Sequence, residues 1–212
     1  MAFSHERDIG HFDRWAPRYD RSWAQWIFFR PLYRRALGAA EALAPDPERV
    51  LDVGCGTGGF LRLAADRFPA AALTGVDPSE VMLAYAVAVN PAGSRLTFVH
   101  ATAEALPFAE GFFDLAVSTM SFHHWADQAK GLQEIARVLR PGAALLLADH
   151  FVIRSHRLLY AAPGRKERFH PPATIDEMLS GAGFAASEWK LLYRIGPFPI
   201  VAAVTARRGV SL

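Results

Sequence analysis

The sequence predicts an α/β fold: a doubly wound, mostly parallel sheet of seven strands, with helices on both faces and an antiparallel last strand. Three observations predict it. Short apolar, β-branched runs alternate with helical apolar stripes from Val50 to Ala148, the pattern of βαβ units. The first run ends in a glycine-rich turn, Gly54-Cys55-Gly56-Thr57-Gly58-Gly59, just before a helical stripe. The last two runs are joined too closely for a right-handed parallel crossover, so the last strand pairs by hairpin.

The chain has 212 residues, 51% of them hydrophobic and 21% charged, with a net charge of +2. That composition suits a globular domain with a sizeable core. The small net charge does not argue for nucleic acid. No apolar run is long enough to span a bilayer. Met1 to Asp8 is polar and lacks the apolar core of a signal peptide. Cys55 is the only cysteine, so no intramolecular disulfide forms, and a cytoplasmic setting is expected. Flanked by glycines and with no adjacent histidine, Cys55 reads as a small filler.

Residues 1–45 read as an N-terminal helical cap on a single unit, 46–212. Phe12, Trp15 and Tyr19 share one helical face. Trp23, Trp26, Ile27, Phe28 and Phe29 form an aromatic patch. Pro31 suits the first turn of a helix carrying Leu32, Tyr33, Ala36, Leu37, Ala40 and Leu43. Aromatic stripes at this spacing are usually core, so docking on the sheet is favoured over walling a substrate pocket.

The first strand is Val50 to Val53, and its crossover helix runs to about Phe68. The second strand, 72–77, ends at Asp77, where a carboxylate can accept both ribose hydroxyls or cap a turn. A helix over 79–89 follows, then the turn Asn90-Pro91-Ala92-Gly93. The third strand is 96–99 and the fourth 113–118. A loop with His123 and His124 leads to a helix over 127–139. Arg140-Pro141-Gly142 reads as a helix stop and turn, and 143–148 as the fifth strand, ending at Asp149-His150. Residues 151–173 are basic, with Arg154, His156, Arg157, Arg165, Lys166, Arg168 and His170 against Glu167. A solvated connection is favoured there over a flap for an anionic acceptor. Thr174 and Glu177 form a capping box for a helix to Gly181. The last strands are about 184–193 and 198–206.

Asp52 decides what the glycine turn holds. It sits two residues before Gly54, where a carboxylate repels a pyrophosphate and attracts an ammonium or sulfonium. The stretch Val50-Leu-Asp-Val-Gly-Cys-Gly-Thr-Gly-Gly59 resembles the first motif of class I S-adenosylmethionine-dependent methyltransferases. Further segments share the resemblance. Phe12 to Asp20 is similar to the opening of the small-molecule, ubiquinone/menaquinone-type branch. Ala101-Thr-Ala-Glu-Ala-Leu-Pro-Phe108 resembles its adenine-binding segment. Phe113 to Asp127 and Arg137-Val-Leu-Arg-Pro-Gly-Ala143 resemble its fourth-strand and fifth-strand segments.

The resemblance implies a Rossmann-like sheet and S-adenosylmethionine as cofactor, with S-adenosylhomocysteine as product. The implied reaction is methyl transfer to a small-molecule acceptor by in-line displacement. It implies cofactor contacts from Asp52, Gly54, Cys55, Gly56, Gly58, Pro78, Glu104 and Ser118. Tyr19 falls near the methionine end, Asp77 at the ribose and Met82 on the adenine face. Ala103 donates its N–H to the adenine ring. Thr102 stands where the family carries an aspartate, leaving a neutral acceptor for the adenine amino group. The loop after the fourth strand lacks the Asp/Asn-Pro-Pro-Tyr/Phe and Pro-Cys sequences of nucleobase methylases, which argues against nucleic acid as substrate.

Methyl transfer from a sulfonium leaves a neutral thioether, so the leaving group needs no acid. A base is required only if the acceptor carries a proton to lose. His123, His124 and His150 are the candidates. No cluster has metal-ligand spacing, and no metal is expected. Two other readings stand beside this one. Gly54-x-Gly56-x-x-Gly59 also satisfies the dinucleotide fingerprint of an NAD(P)-dependent oxidoreductase. The same fold also serves non-catalytic S-adenosylmethionine binding.

Overall fold

Val50, Leu51, Asp52 and Val53 are all buried, so this strand has neighbours on both edges and both faces. It is an interior strand, third from one edge, of a seven-stranded sheet of order β3-β2-β1-β4-β5-β7-β6. The computed structural model describes Gly10, Ser22 and residues 25–90, 95–151, 169–185, 187–196 and 198–210. Within them β1 is Arg49–Val53, β2 Ala72–Asp77, β3 Leu96–His100, β4 Phe113–Thr119, β5 Leu139–Asp149, β6 Glu188–Ile195 and β7 Phe198–Arg207. β1 pairs in parallel with β2 and β4, β3 with β2, and β5 with β4. β7 runs antiparallel to both β5 and β6. The predicted hairpin and sheet class are the observed ones.

The helices are α1 Arg30–Leu43, α2 Gly59–Arg67, α3 Glu80–Val89, α4 Gln128–Val138 and α5 Pro172–Gly181. On one face Val50, Leu115, Val117 and Leu146 pack with Leu32 and Leu37 of α1, Phe60 and Leu61 of α2, and Leu83 of α3. On the other, Leu51, Val53, Ala116, Leu145 and Leu147 pack with Leu132 and Ile135 of α4 and Ile175 and Leu179 of α5. Each fully buried leucine or phenylalanine contributes roughly 1.5–3 kcal/mol. Successive strand residues face opposite layers, which is why β1 and β4 are apolar without interruption apart from their functional positions.

Three elements differ from the sequence reading by more than a residue. β5 begins at Leu139, because Leu139 pairs with Phe113 before the ladder shifts register. Arg140-Pro141-Gly142 is therefore an irregularity within the strand, with Gly142 at φ 78°. α5 begins at Pro172 rather than Thr174. The N–H groups of Thr174 and Ile175 donate to the Pro171 carbonyl, and no side chain caps the helix. Pro172, fixed near helical φ, suits that first turn. β6 begins at Glu188, since the Phe184 N–H is taken by the Leu179 carbonyl at the helix end and Phe184 makes only an isolated bridge to Arg208.

The aromatic patch before α1 is divided. Gln25–Phe29 forms a π-helical turn. Phe28 and Phe29 pack against the core, while Trp26 and Ile27 are 64% and 62% exposed. The Arg30 guanidinium lies 4.1 Å over the Trp26 ring. Phe12, Trp15, Tyr19 and Trp23 lie outside the described residues, as do 152–168 of the basic segment.

Candidate active site

The glycine turn sits at the carboxyl end of β1, between the ends of β2 and β4. Gly54 and Cys55 donate their N–H groups to the Val76 carbonyl, at 2.8 and 3.0 Å. Gly54, Gly56 and Gly58 have φ of 77°, 52° and 75°, a region that L side chains rarely adopt. Two of the three also lack space for a side chain. A Cβ on Gly54 would come within 1.7 Å of Ser121 Oγ, and one on Gly58 within 2.9 Å of the Phe98 ring. A Cβ on Gly56 would meet no protein atom within 4 Å. Gly56 thus faces open space where a ligand can approach the backbone.

Asp77 ties this turn to the next helix. Its Oδ2 accepts the Gly56 N–H at 2.8 Å and its Oδ1 the Ser79 N–H at 2.9 Å. Ser79 caps α3, its Oγ accepting the Met82 N–H at 3.0 Å.

A cleft of about 840 Å³, open to solvent, runs along these strand ends. Of the residues expected at the site, Gly54, Cys55, Gly56, Asp77, Pro78, Met82, Thr102, Ala103, Glu104 and His124 line it. Asp52, Gly58, Ser118, His123 and His150 are not among its lining residues, and Tyr19 lies outside the described residues. The sequence reading missed Tyr33, Ser79, Thr119, Met120, Ser121 and Trp125, which do line it. Thr119 to Ser121 follow directly from β4, so the rule that ligands sit beyond strand carboxyl ends could have found them. Met120 has φ 57°, a costly conformation for a side-chain-bearing residue and one that clusters at functional sites. Tyr33 comes from α1, and no local motif marks it.

Two straps hold the far wall. Leu106 donates its N–H to Glu134 Oε2 at 3.0 Å. Arg137 donates to the Leu106 and Phe108 carbonyls, at 2.9 and 2.7 Å. Glu104 Oε1 accepts the Asp127 N–H at 3.0 Å. Trp125 Nε1 donates to Ser121 Oγ at 3.1 Å. The segment carrying Thr102 and Ala103 is therefore fixed to α4 rather than left as a free loop.

Asp52 is 1% exposed, and neither carboxylate oxygen has a hydrogen-bond partner among the described residues. Burial, and secondarily the Asp77 charge, push its pKa up to about 8. Without a ligand this carboxyl therefore holds its proton near neutral pH; a cation seated over the turn would favour its ionised form, and a diphosphate would oppose it. Burial also pushes the Cys55 thiol up, with Asp77 and Asp52 adding to the effect. It stays a protonated filler, as expected.

The histidines are organised by a residue that sequence reading passed over. Asp149, at the end of β5, is 1% exposed. Its Oδ1 accepts from His123 Nδ1 at 2.7 Å and its Oδ2 from the His123 N–H at 3.1 Å. The His150 N–H also donates to Oδ1, at 2.6 Å. Burial raises the Asp149 pKa, but the His123 ring and its hydrogen bond, then His150, turn the net shift downward. His150 Nδ1 donates to the Ile200 carbonyl at 2.7 Å, which turns that ring toward β7. Among the described residues no group of three His, Cys, Asp or Glu side chains could hold a metal ion.

Fold and cleft together define a doubly wound α/β protein with an open ligand cleft at the carboxyl ends of its central strands. Residues 51–147 match a family described as a methyltransferase domain. A demethylmenaquinone methyltransferase of Thermus thermophilus is 37% identical over 139 residues, covering 65% of this chain and 63% of the relative. A trans-aconitate 2-methyltransferase of Streptomyces avermitilis is 34% identical over 196 residues, covering 81% and 72%. A SAM-dependent methyltransferase structure from Thermotoga maritima superposes with a TM-score of 0.71 at 21% identity, over 93% of this chain and 98% of that one. The chain belongs to the class I S-adenosylmethionine-dependent methyltransferases, whose cofactor is S-adenosylmethionine. It spans 63%, 56% and 59% of the length of three curated relatives that it matches.

Proposed function

We propose that this protein transfers a methyl group from S-adenosylmethionine to a small-molecule acceptor, releasing S-adenosylhomocysteine. One observation carries the reading. The open glycine turn and Asp77 at the end of β2 line a single cleft, and the unpaired Asp52 carboxyl lies buried in β1 just before that turn. The cofactor supplies an electrophilic methyl on a cationic sulfur. The chain's part is to hold that cation and the acceptor in line with water excluded.

In this proposal the Gly54–Gly56 backbone and Asp52 hold the methionine end, with Cys55 and Gly58 shaping the turn and Ser118 behind it. Asp77 and Pro78 take the ribose. Met82, Thr102, Ala103 and Glu104 surround the adenine. Tyr33 adds a wall from α1, which supports treating 1–45 as a cap on the 46–212 unit; Tyr19 is proposed to act from the same segment. The Thermus and Streptomyces relatives are named for demethylmenaquinone and trans-aconitate, both small molecules. No helix among the described residues is long and apolar enough to cross a membrane. A cytoplasmic location is part of the proposal and rests on the single, buried cysteine.

Calorimetry with S-adenosylmethionine and with NAD tests the cofactor. The reading expects heat from the first and none from the second; the reverse sinks it. Tritium transfer from labelled cofactor into a metabolite extract then tests turnover, and binding without transfer favours a non-catalytic binder.

A further inference from the structure

His123 and Asp149 are 26 residues apart in the chain, yet parallel pairing of β4 with β5 brings their segments together at the carboxyl ends of these interior strands. Asp149 grips His123 twice, through the ring and through the backbone N–H. A ring held in that way is oriented rather than merely packed. Because Asp149 accepts from Nδ1, the imidazole proton resides there and the lone pair is left on Nε2. Nε2 lies on the opposite edge of the ring, away from the buried carboxylate, and has no hydrogen-bond partner among the described residues. The His123 side chain retains 12% exposure. The ring abuts His124 at 3.9 Å between centroids, and His124, Ser121 and Met120 line the cofactor cleft. Phe169 stacks on the ring at 5.1 Å, and His150 stands at 6.0 Å.

We propose that Asp149 positions His123 as the general base of the reaction, and hence that the acceptor is a nucleophile that must give up a proton. The inference rests on the methyltransferase reading and narrows its acceptor class. In the step, a lone pair of the acceptor forms the new bond to the methyl carbon. The sulfur–carbon pair stays with sulfur, and the acceptor's proton passes to His123 Nε2. The resulting imidazolium faces a buried carboxylate that is already ionised, whose pKa the His123 contact helps to lower. A hydroxyl, an N–H or an acidic C–H fits this requirement. A tertiary amine or a thioether has no proton to lose and fits a site without a base. Asp149 is a positioning residue; His123 is the residue that touches the acceptor.

The test separates this inference from the reading beneath it. Calorimetry with S-adenosylmethionine on wild type decides the cofactor; no binding there removes the methyltransferase reading itself. Nitrogen-15 spectra of labelled histidine decide the base geometry. His123 is expected as the Nδ1–H tautomer, shifting toward Nε2–H in Asp149→Asn, and an Nε2–H tautomer in wild type overturns the base. Carbethoxylation of His123 by diethyl pyrocarbonate, mapped by mass spectrometry, should slow about tenfold in Asp149→Asn, and an unchanged rate counts against positioning. Products formed from an extract with labelled cofactor should gain CH2 with no new charge; only cationic products gaining a whole CH3 overturn the acceptor class. His123→Gln should lower kcat about 100-fold while cofactor affinity stays within about threefold. Unchanged kcat overturns the role.

Discussion

At the scale of single residues, Asp52 has an unusual energetic signature. An aspartate in the unfolded chain ionises near 3.8, whereas the folded protein holds this proton to about 8. Between those values the native state binds more protons than the unfolded one, so stability falls as pH rises. The slope from this one group is about 1.4 kcal/mol per pH unit. Asp149, shifted the other way, contributes stability that is present above the ordinary aspartate value and is lost only as pH falls through its lowered one. Urea unfolding of the cofactor-free protein at pH 5 and pH 7 should therefore show a decline that Asp52→Asn flattens; equal slopes in both proteins would dismiss the buried acid. The glycines offer a second comparison. Gly54→Ala drives a Cβ into Ser121 and the Trp125 bond it supports, so it should lower both stability and cofactor affinity. Gly56→Ala meets no protein atom. It should cost only about 1–2 kcal/mol of backbone strain yet lower cofactor affinity at least tenfold, read by calorimetry. Wild-type affinity in Gly56→Ala would mean that the ligand does not approach this backbone.

At the scale of elements, Asp114 locks the opposite end of the sheet. Its Oδ2 accepts the N–H groups of Glu48 and Arg49, at 2.7 and 2.8 Å, and its Oδ1 pairs with Arg140 at 2.9 Å. One carboxylate thus fixes where β1 enters and where β5 becomes irregular. Asp114→Ala orphans two donors in a part-buried place and should cost about 2–4 kcal/mol in urea unfolding while leaving cofactor binding nearly unchanged. A loss below 0.5 kcal/mol, on the order of an ordinary surface change, would show the clamp to be redundant. These tertiary ties explain which element boundaries were legible. β2, with its strand pattern closed by Asp77-Pro78, and α2, opened by glycine and closed near Phe68, were read within a residue from local pattern. β5 was not, because its first pair, Leu139 with Phe113, depends on a partner strand and not on the Arg140-Pro141-Gly142 that locally signals a turn. Thr174 failed as a cap for a similar reason: Pro171 and Pro172 set the helix start before the capping box could.

At the scale of the whole molecule, the cleft is a product of strand order. β1 lies between β2 and β4, so three loops from distant parts of the chain end side by side. The glycine turn and Asp77 were legible because each sits within its own strand–turn unit. The Asp149–His123 pair was not, because Asp149-His150 reads as a bare dipeptide until β5 is placed beside β4. Tyr33 was hidden likewise, its role arising only from the docking of α1. Asp77 links two of the three loops, and this makes cofactor binding a property of the assembled sheet edge. At a hundred times its dissociation constant, the cofactor should stabilise the fold by about 2.7 kcal/mol. Asp77→Ala removes the acceptor for Gly56 and Ser79 together with the proposed ribose contact. It should weaken binding by about 1–3 kcal/mol, so the same cofactor concentration stabilises the variant by only about 0.3–1.8 kcal/mol. Urea unfolding with and without S-adenosylmethionine measures that increment directly. An undiminished increment in Asp77→Ala would place the ribose elsewhere and leave Asp77 as only the knot between the glycine turn and α3.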